Sequence, residues 1–162
     1  MARRVFFSFH YQRDIWRVNQ IRNCWVTRGV NEAGFWDNSL WEATKSQGDI
    51  ALRNLIDTGF IGTSVTVVLI GAETANRKWV KYEIQKSRER GNGMIGIYIH
   101  NVRNQLGQYD IMGTNPFDQF TALQMGTLIR YSQLYRTYNW TLEDGYNNIG
   151  TWIERAAILA KK

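Results

Sequence analysis

Glu83 follows Trp79 by four residues, so on a helix the carboxylate and the indole share one side, one turn apart. That makes Glu83 the leading candidate for a catalytic carboxylate. Its plainer role is half of an exposed, weak surface pair with Lys86, three residues on. Ser8 is the one polar residue in an apolar run and a candidate nucleophile. However, the chain has no G-x-S-x-G elbow and only His10 and His100 to activate a hydroxyl, so a buried strand serine is the stronger reading. His10 and His100 each close an apolar run, and either can be a satisfied polar residue. Asp37 and Glu42 alternate with Trp36 and Trp41, a mixture that can bind a sugar and stack a base, or merely cap a core. Cys24 falls between Ile21 and Trp25 on an inner helix face, the place of a small hydrophobe. Gly91-Asn92-Gly93 ends a helical pattern and reads as a turn, not a phosphate loop. One cysteine and two histidines make no metal-ligand cluster, so no metal is expected.

These residues hang on a strand–loop–helix–strand unit over residues 64–99. Val65 to Ile70 is short, apolar and β-branched, which suits a strand covered on both faces. Trp79, Val80, Ile84 and Ser87 then share a helical face, Gly91 supplies a stop, and Met94 to Ile99 gives a second strand. A βαβ crossover of this kind makes its two strands parallel. Upstream, Arg4 to Phe9 reads as a first strand and Asp14 to Arg28 as a helix stopped by Gly29. A mostly polar, chiefly loop segment follows, with at most a short strand near Phe35 and Trp36, and then a helix over Asp49 to Asp57. Downstream, His100 to Gly126 shows no sustained period, Tyr135 to Trp140 offers a last strand, and Tyr146 to Leu159 a last helix. The expected fold is an α/β, flavodoxin-like open parallel sheet of about five strands in the order 2-1-3-4-5, with helices on both faces. In that order a crevice opens beyond the first and third strands, lined by Phe9, His10 and the Gly71 to Trp79 loop.

The 162 residues fit one domain, with a core over 1–118 and a C-terminal strand and helix in 119–162. A hydrophobic fraction of 44% with seven Trp supplies core material and argues against disorder. The formal charge of +6 invites nucleic acid, but the Lys and Arg are scattered without a block, which argues against it. A basic surface equally attracts an anionic nucleotide. The lone cysteine, the short apolar stretch before His10 and the absence of a membrane-length run point to a soluble cytoplasmic protein without membrane partners.

The run Val5-Phe6-Phe7-Ser8-Phe9 resembles the first-strand box of Toll/interleukin receptor (TIR) domains. Trp79-Val80-Lys81-Tyr82-Glu83 resembles the W-x-x-x-E pattern after the third TIR strand, and MIGIYI the fourth strand. Across FFSFHY, FWDNSLWE, residues 63–87 and GTNPFD, the chain is similar to the TIR-like proteins of the bacterial Thoeris antiphage system, over most of residues 1–118.

The resemblance implies an enzyme, an NAD nucleosidase and ADP-ribosyl cyclase. It would break the nicotinamide glycosidic bond of NAD and make a cyclic ADP-ribose that activates a separate antiphage effector. NAD is then the substrate, and no cofactor is implied. Glu83 matches the family's catalytic glutamate. A carboxylate there can hold ribose hydroxyls and stabilise an oxocarbenium-like state. The expected substrate-binding set is Phe6, Ser8, Phe9, His10, Asp37, Trp41 and Trp79, in which the aromatic rings stack a base and exclude water. Many TIR domains carry a serine two residues before the motif tryptophan, whereas Arg77 stands there in this chain. Homo-oligomerisation and a phage-derived trigger are expected to complete the site, with ordering of the Gly34 to Asp49 loop as the switch. The rival function is a non-enzymatic TIR adaptor that works by self-association.

Overall fold

The computed structural model describes residues 3–26, 32–36 and 38–162. In chain order the elements are β1 (Val5–Ser8), α1 (Tyr11–Val26), β2 (Glu32–Ala33), α2 (Asn38–Ser46), α3 (Asp49–Gly59), β3 (Val65–Ile70), α4 (Lys78–Glu89) and β4 (Gly93–Tyr98). They are followed by β5 (Thr121–Gln124), β6 (Thr127–Arg130), α5 (Tyr131–Leu134), β7 (Thr137–Asn139) and α6 (Gly145–Leu159). Short 3-10 turns occupy Thr74–Asn76 and Pro116–Gln119.

Five strands form a parallel sheet in the order β2-β1-β3-β4-β7. This is the expected order, with the last strand renumbered because a separate β5–β6 hairpin precedes it. All six residues of β3 are buried, as a central strand covered on both faces requires. Side-chain alternation sends Val5 and Phe7 of β1 toward α1 and α6, where Val18, Ile21, Trp152 and Ile153 complete the larger core cluster. Phe6 points the other way, into a cluster with Ile56 of α3 and Phe60 just after it, and Val68 and Ile70 meet Val80 and Ile84 of α4. Ser8, two residues after Phe6, therefore also faces α4.

Two segments differ from expectation. The described part of residues 29–49 is not chiefly loop: the strand lies at Glu32–Ala33 rather than Phe35–Trp36, and Asn38–Ser46 is helical. In α2 only Thr44 is buried, so its apolar period is too thin to stand out among polar residues. The excursion after β4 holds the β5–β6 hairpin, whose two-residue turn puts Met125 (φ 50) and Gly126 (φ 78) in the left-handed region. Such a turn favours Asn-Gly or Asp-Gly, and methionine at its first position hides it. The expected stop of the first helix at Arg28 and Gly29 lies outside the described residues. Among the described residues no helix is long and apolar enough to cross a membrane.

Candidate active site

The crevice lies beyond the carboxyl ends of β1 and β3, where connections leave to opposite faces of the sheet. One wall comes from the chain after β1, with Phe9 and His10. A second comes from Arg77 and the first turns of α4, with Lys78, Trp79 and Glu83. The third is Gly34, Trp36, Trp41 and Lys45. The empty space is about 730 Å³, open mouth included. Gly34 lets the third wall close up. Its φ is +88°, and a Cβ there would stand 2.2 Å from the Phe7 carbonyl oxygen, so no larger residue fits between β1 and this segment.

Glu83 is not the exposed half of a surface pair. It is 4% exposed, and Lys86 lies near Asp57 (3.7 Å) and Glu89 (4.0 Å) instead. The reason is geometric: Glu83 stands three residues after Val80 and four before Ser87, which puts it on the buried face of α4 beside Ile84. Its side-chain partner is Ser8, whose hydroxyl donates to the Glu83 carboxylate across 75 residues of chain. Burial pushes the Glu83 carboxyl up to about 8, while the Ser8 hydrogen bond pulls in the opposite direction. A relay anchors the backbone beneath it. Ser87 donates to the Glu83 carbonyl at 2.7 Å and is itself 2.7 Å from the Thr66 hydroxyl of β3, which Asn92 reaches at 3.4 Å.

Trp79 is half-buried at the cleft, edge-on to Tyr82 at 5.8 Å, with the Lys78 ammonium 5.0 Å from its ring. Trp41 also lines the cleft and stacks on Trp36 at 5.6 Å. Phe9 packs between Tyr11 and Phe35. His10 is 7% exposed. Burial and then the Arg77 charge hold its pKa below the ordinary value, against an opposing pull from Glu73.

The structure thus brings Glu83, Phe9, His10, Trp41 and Trp79 together, with Ser8 directly behind the carboxylate. Phe6 does not join them: it is fully buried and stacks on Phe60 at 3.8 Å, on the strand position that faces α3. Asp37 lies outside the described residues. Lys45, Arg77 and Lys78 add three cations that were not among the expected binding residues. Lys45 stands four residues after Trp41, so recognising α2 as a helix would have exposed it. Lys78 also pairs with Asp49, which ties the first turn of α4 to that of α3. Among the described residues no group of three or more His, Cys, Asp or Glu is placed to hold a metal ion.

A parallel sheet in this order, with a buried helix glutamate at the crevice beyond its first and third strands, defines a TIR-like α/β domain. The comparisons agree. Residues 6–104 match the family described as "Thoeris protein ThsB, TIR-like domain". The chain is also similar to a Bacillus cereus (strain MSX-D12) protein named "Putative cyclic ADP-D-ribose synthase ThsB1", at 41% identity over 191 aligned residues covering 94% of this chain and all of that protein. The chain belongs to the ThsB TIR-like family of Thoeris proteins.

Proposed function

We propose that this protein breaks the nicotinamide glycosidic bond of NAD and closes the ADP-ribosyl group into a cyclic ADP-ribose signal read by a separate effector. One observation carries the reading: a buried carboxylate, Glu83, with a hydroxyl for its side-chain partner, at the base of an aromatic cleft rimmed by cations. The name of the Bacillus cereus relative, a cyclic ADP-D-ribose synthase, supports the same chemistry.

The charges fit in a particular way. NAD carries its positive charge on the nicotinamide ring and its negative charges on the diphosphate. Seated by Glu83, the cationic ring lowers the carboxyl pKa from about 8, so substrate binding and ionisation assist each other. Lys45, Arg77 and Lys78 supply charge for the diphosphate, and the Trp36–Trp41 pair and Trp79 offer faces for the base. When the C1′–N bond breaks, its electron pair stays on nicotinamide, which leaves neutral and needs no general acid. The positive charge moves to C1′ and the ring oxygen, where Glu83 stabilises it. A nucleophilic atom of the same molecule then captures C1′, while the aromatic walls keep out the water that would give linear ADP-ribose. Ser8 positions Glu83, and NAD is a substrate with no further cofactor.

Activity depends on self-association and a phage-derived trigger in this reading. Because α2 is a formed helix, the switch moves a helix carrying Trp41 and Lys45 rather than ordering a loop. The test is incubation of concentrated protein with NAD, reading nicotinamide release and the mass and retention of the product. A product with the mass of ADP-ribose less water supports the proposal. No turnover across concentrations, with self-association intact, supports the adaptor instead.

A further inference from the structure

A second cleft lies at the opposite end of the sheet. The β4–β7 register begins only at Gly96↔Thr137, so Gly93, Met94 and Ile95 have no strand neighbour on that side among the described residues. The notch is walled by the last turns of α4 and α6 and by the chain entering β7, and its empty space of about 1110 Å³, mouth included, exceeds that beside Glu83.

The lining has an unbalanced charge. Arg88 and Arg155 come from α4 and α6 and Arg136 from the chain entering β7, and among the described residues no Asp or Glu lines the cleft with them. The nearby carboxylates are engaged elsewhere. Glu154, adjacent to Arg155, is held by the Arg3 guanidinium at 2.7 and 2.8 Å, and Glu89 lies 4.0 Å from Lys86. The three guanidiniums meet only neutral groups among the described residues: Arg88 donates to the Tyr135 hydroxyl at 2.7 Å, Arg136 lies 4.9 Å from the Tyr138 ring, and Arg155 has no partner there. The carboxyl ends of α4 and α6 also point here. Each contributes roughly half a negative charge, so the two together offset about one guanidinium of the three. Apart from Asn92, the remaining lining is mostly apolar and aromatic, with Met94, Tyr135 and Leu159 among it. A concave pocket of this size with an apolar floor and a few convergent charges suits a small organic ligand, whereas the scattered basic stripe that tracks nucleic acid is missing.

We propose that this cleft between α4, β4, β7 and α6 is a second ligand site, which binds a phosphorylated organic anion of nucleotide size through Arg88, Arg136 and Arg155. The phosphates take the guanidiniums, whose planar fork matches two phosphate oxygens at once, and the organic body lies on Tyr135 and the apolar floor.

Isothermal titration of the intact protein with ATP tests this, with inorganic tripolyphosphate and a poly-glutamate peptide as separate probes. The expected result is saturable ATP binding that is tighter than that of tripolyphosphate or the peptide. It should weaken at least about tenfold in Arg136→Ala/Arg155→Ala and stay unchanged in Lys45→Ala/Arg77→Ala, which alters the other cleft. Arg155→Gln, at an exposed helix position, serves the same purpose should the double variant fail to fold. Four results would each overturn the proposal. These are no ATP binding at millimolar concentration, equal binding by the arginine variants, loss only in Lys45→Ala/Arg77→Ala, and a peptide or tripolyphosphate that binds as tightly as ATP.

Discussion

Two carboxylates near the crevice are treated in opposite ways. Asp110 accepts both arms of the Arg13 guanidinium at 2.9 Å and lies 3.7 Å from Arg17. The Arg13 hydrogen bond leads the contacts that hold its pKa below the ordinary carboxylate value. Among the described residues Glu83 has only the Ser8 hydroxyl for a side-chain partner, and burial drives its pKa to about 8. Asp110 is permanently charged and permanently neutralised, so it ties the segment after β4 to α1. Glu83 is left without a cation, so the counter-ion it lacks can be the substrate. The same surroundings that weaken it as a structural element prepare it to respond to a positively charged ring.

Glu83→Gln removes the reactive charge and keeps the shape, and breaks the comparison most severely. Nicotinamide release should fall roughly 10²–10³-fold, as when a transition-state electrostatic contact is lost. Stability should move the other way. A carboxyl whose folded pKa is raised binds its proton more tightly when folded, so folding stability falls as pH rises from the unfolded value near 4.5 to about 8. The glutamine variant escapes that loss. It should melt above wild type at pH 8, with the gap narrowing toward pH 5. Equal rates, or a variant that melts lower at pH 8, would discard this account of Glu83.

Arg17→Met attacks the opposite kind of site. Arg17 is 4% exposed, donates to the carbonyls of Val102 (2.7 Å) and Gln108 (3.1 Å), and lies 3.9 Å from Asp14. Its loss leaves the Asp14 and Asp110 carboxylates without that cation and should cost about 3–5 kcal/mol in denaturant unfolding, with turnover per folded molecule near wild type. A loss well below about 1 kcal/mol would show that this network does not hold the segment after β4.

Ser8→Ala makes the smallest change. Without the hydroxyl the Glu83 pKa should rise further, since that hydrogen bond favours the charged form. Under the proposed mechanism, in which only the ionised Glu83 carboxylate stabilises the transition state, the kcat/KM of wild type should climb with pH through about 8. In Ser8→Ala the climb should shift to higher pH, with about a tenfold loss at neutral pH and partial recovery above it. A loss that is independent of pH would mean that Ser8 acts on the substrate rather than through Glu83.

Most of the sheet was legible because its strands are continuous apolar runs, with Val65–Ile70 copied from sequence to structure without a change. The crevice followed from strand order alone. What failed to show was exposure across elements. Trp79 and Glu83 could be placed one turn apart on α4, but no local pattern says that Ser8, 75 residues earlier, closes over Glu83 and leaves Lys86 to Asp57. Phe6 and Phe9 look alike in the first strand box. Only alternation against a known α3 sends Phe6 to Phe60, while Phe9 lies past the strand end at the cleft. Lys45 stayed hidden for want of a recognisable α2.

The β3–α4–β4 unit is contiguous in sequence and pairs six residues in register, so it can assemble from near neighbours. By contrast the β1–β3 pairing, which brings Val5 beside Val65, closes a far longer loop. Until β1 is in place, Glu83 has no Ser8 hydroxyl beside it. A fragment that lacks β1 holds every residue of the W-x-x-x-E motif and yet lacks the hydroxyl that pairs with Glu83, so the motif by itself is not the site.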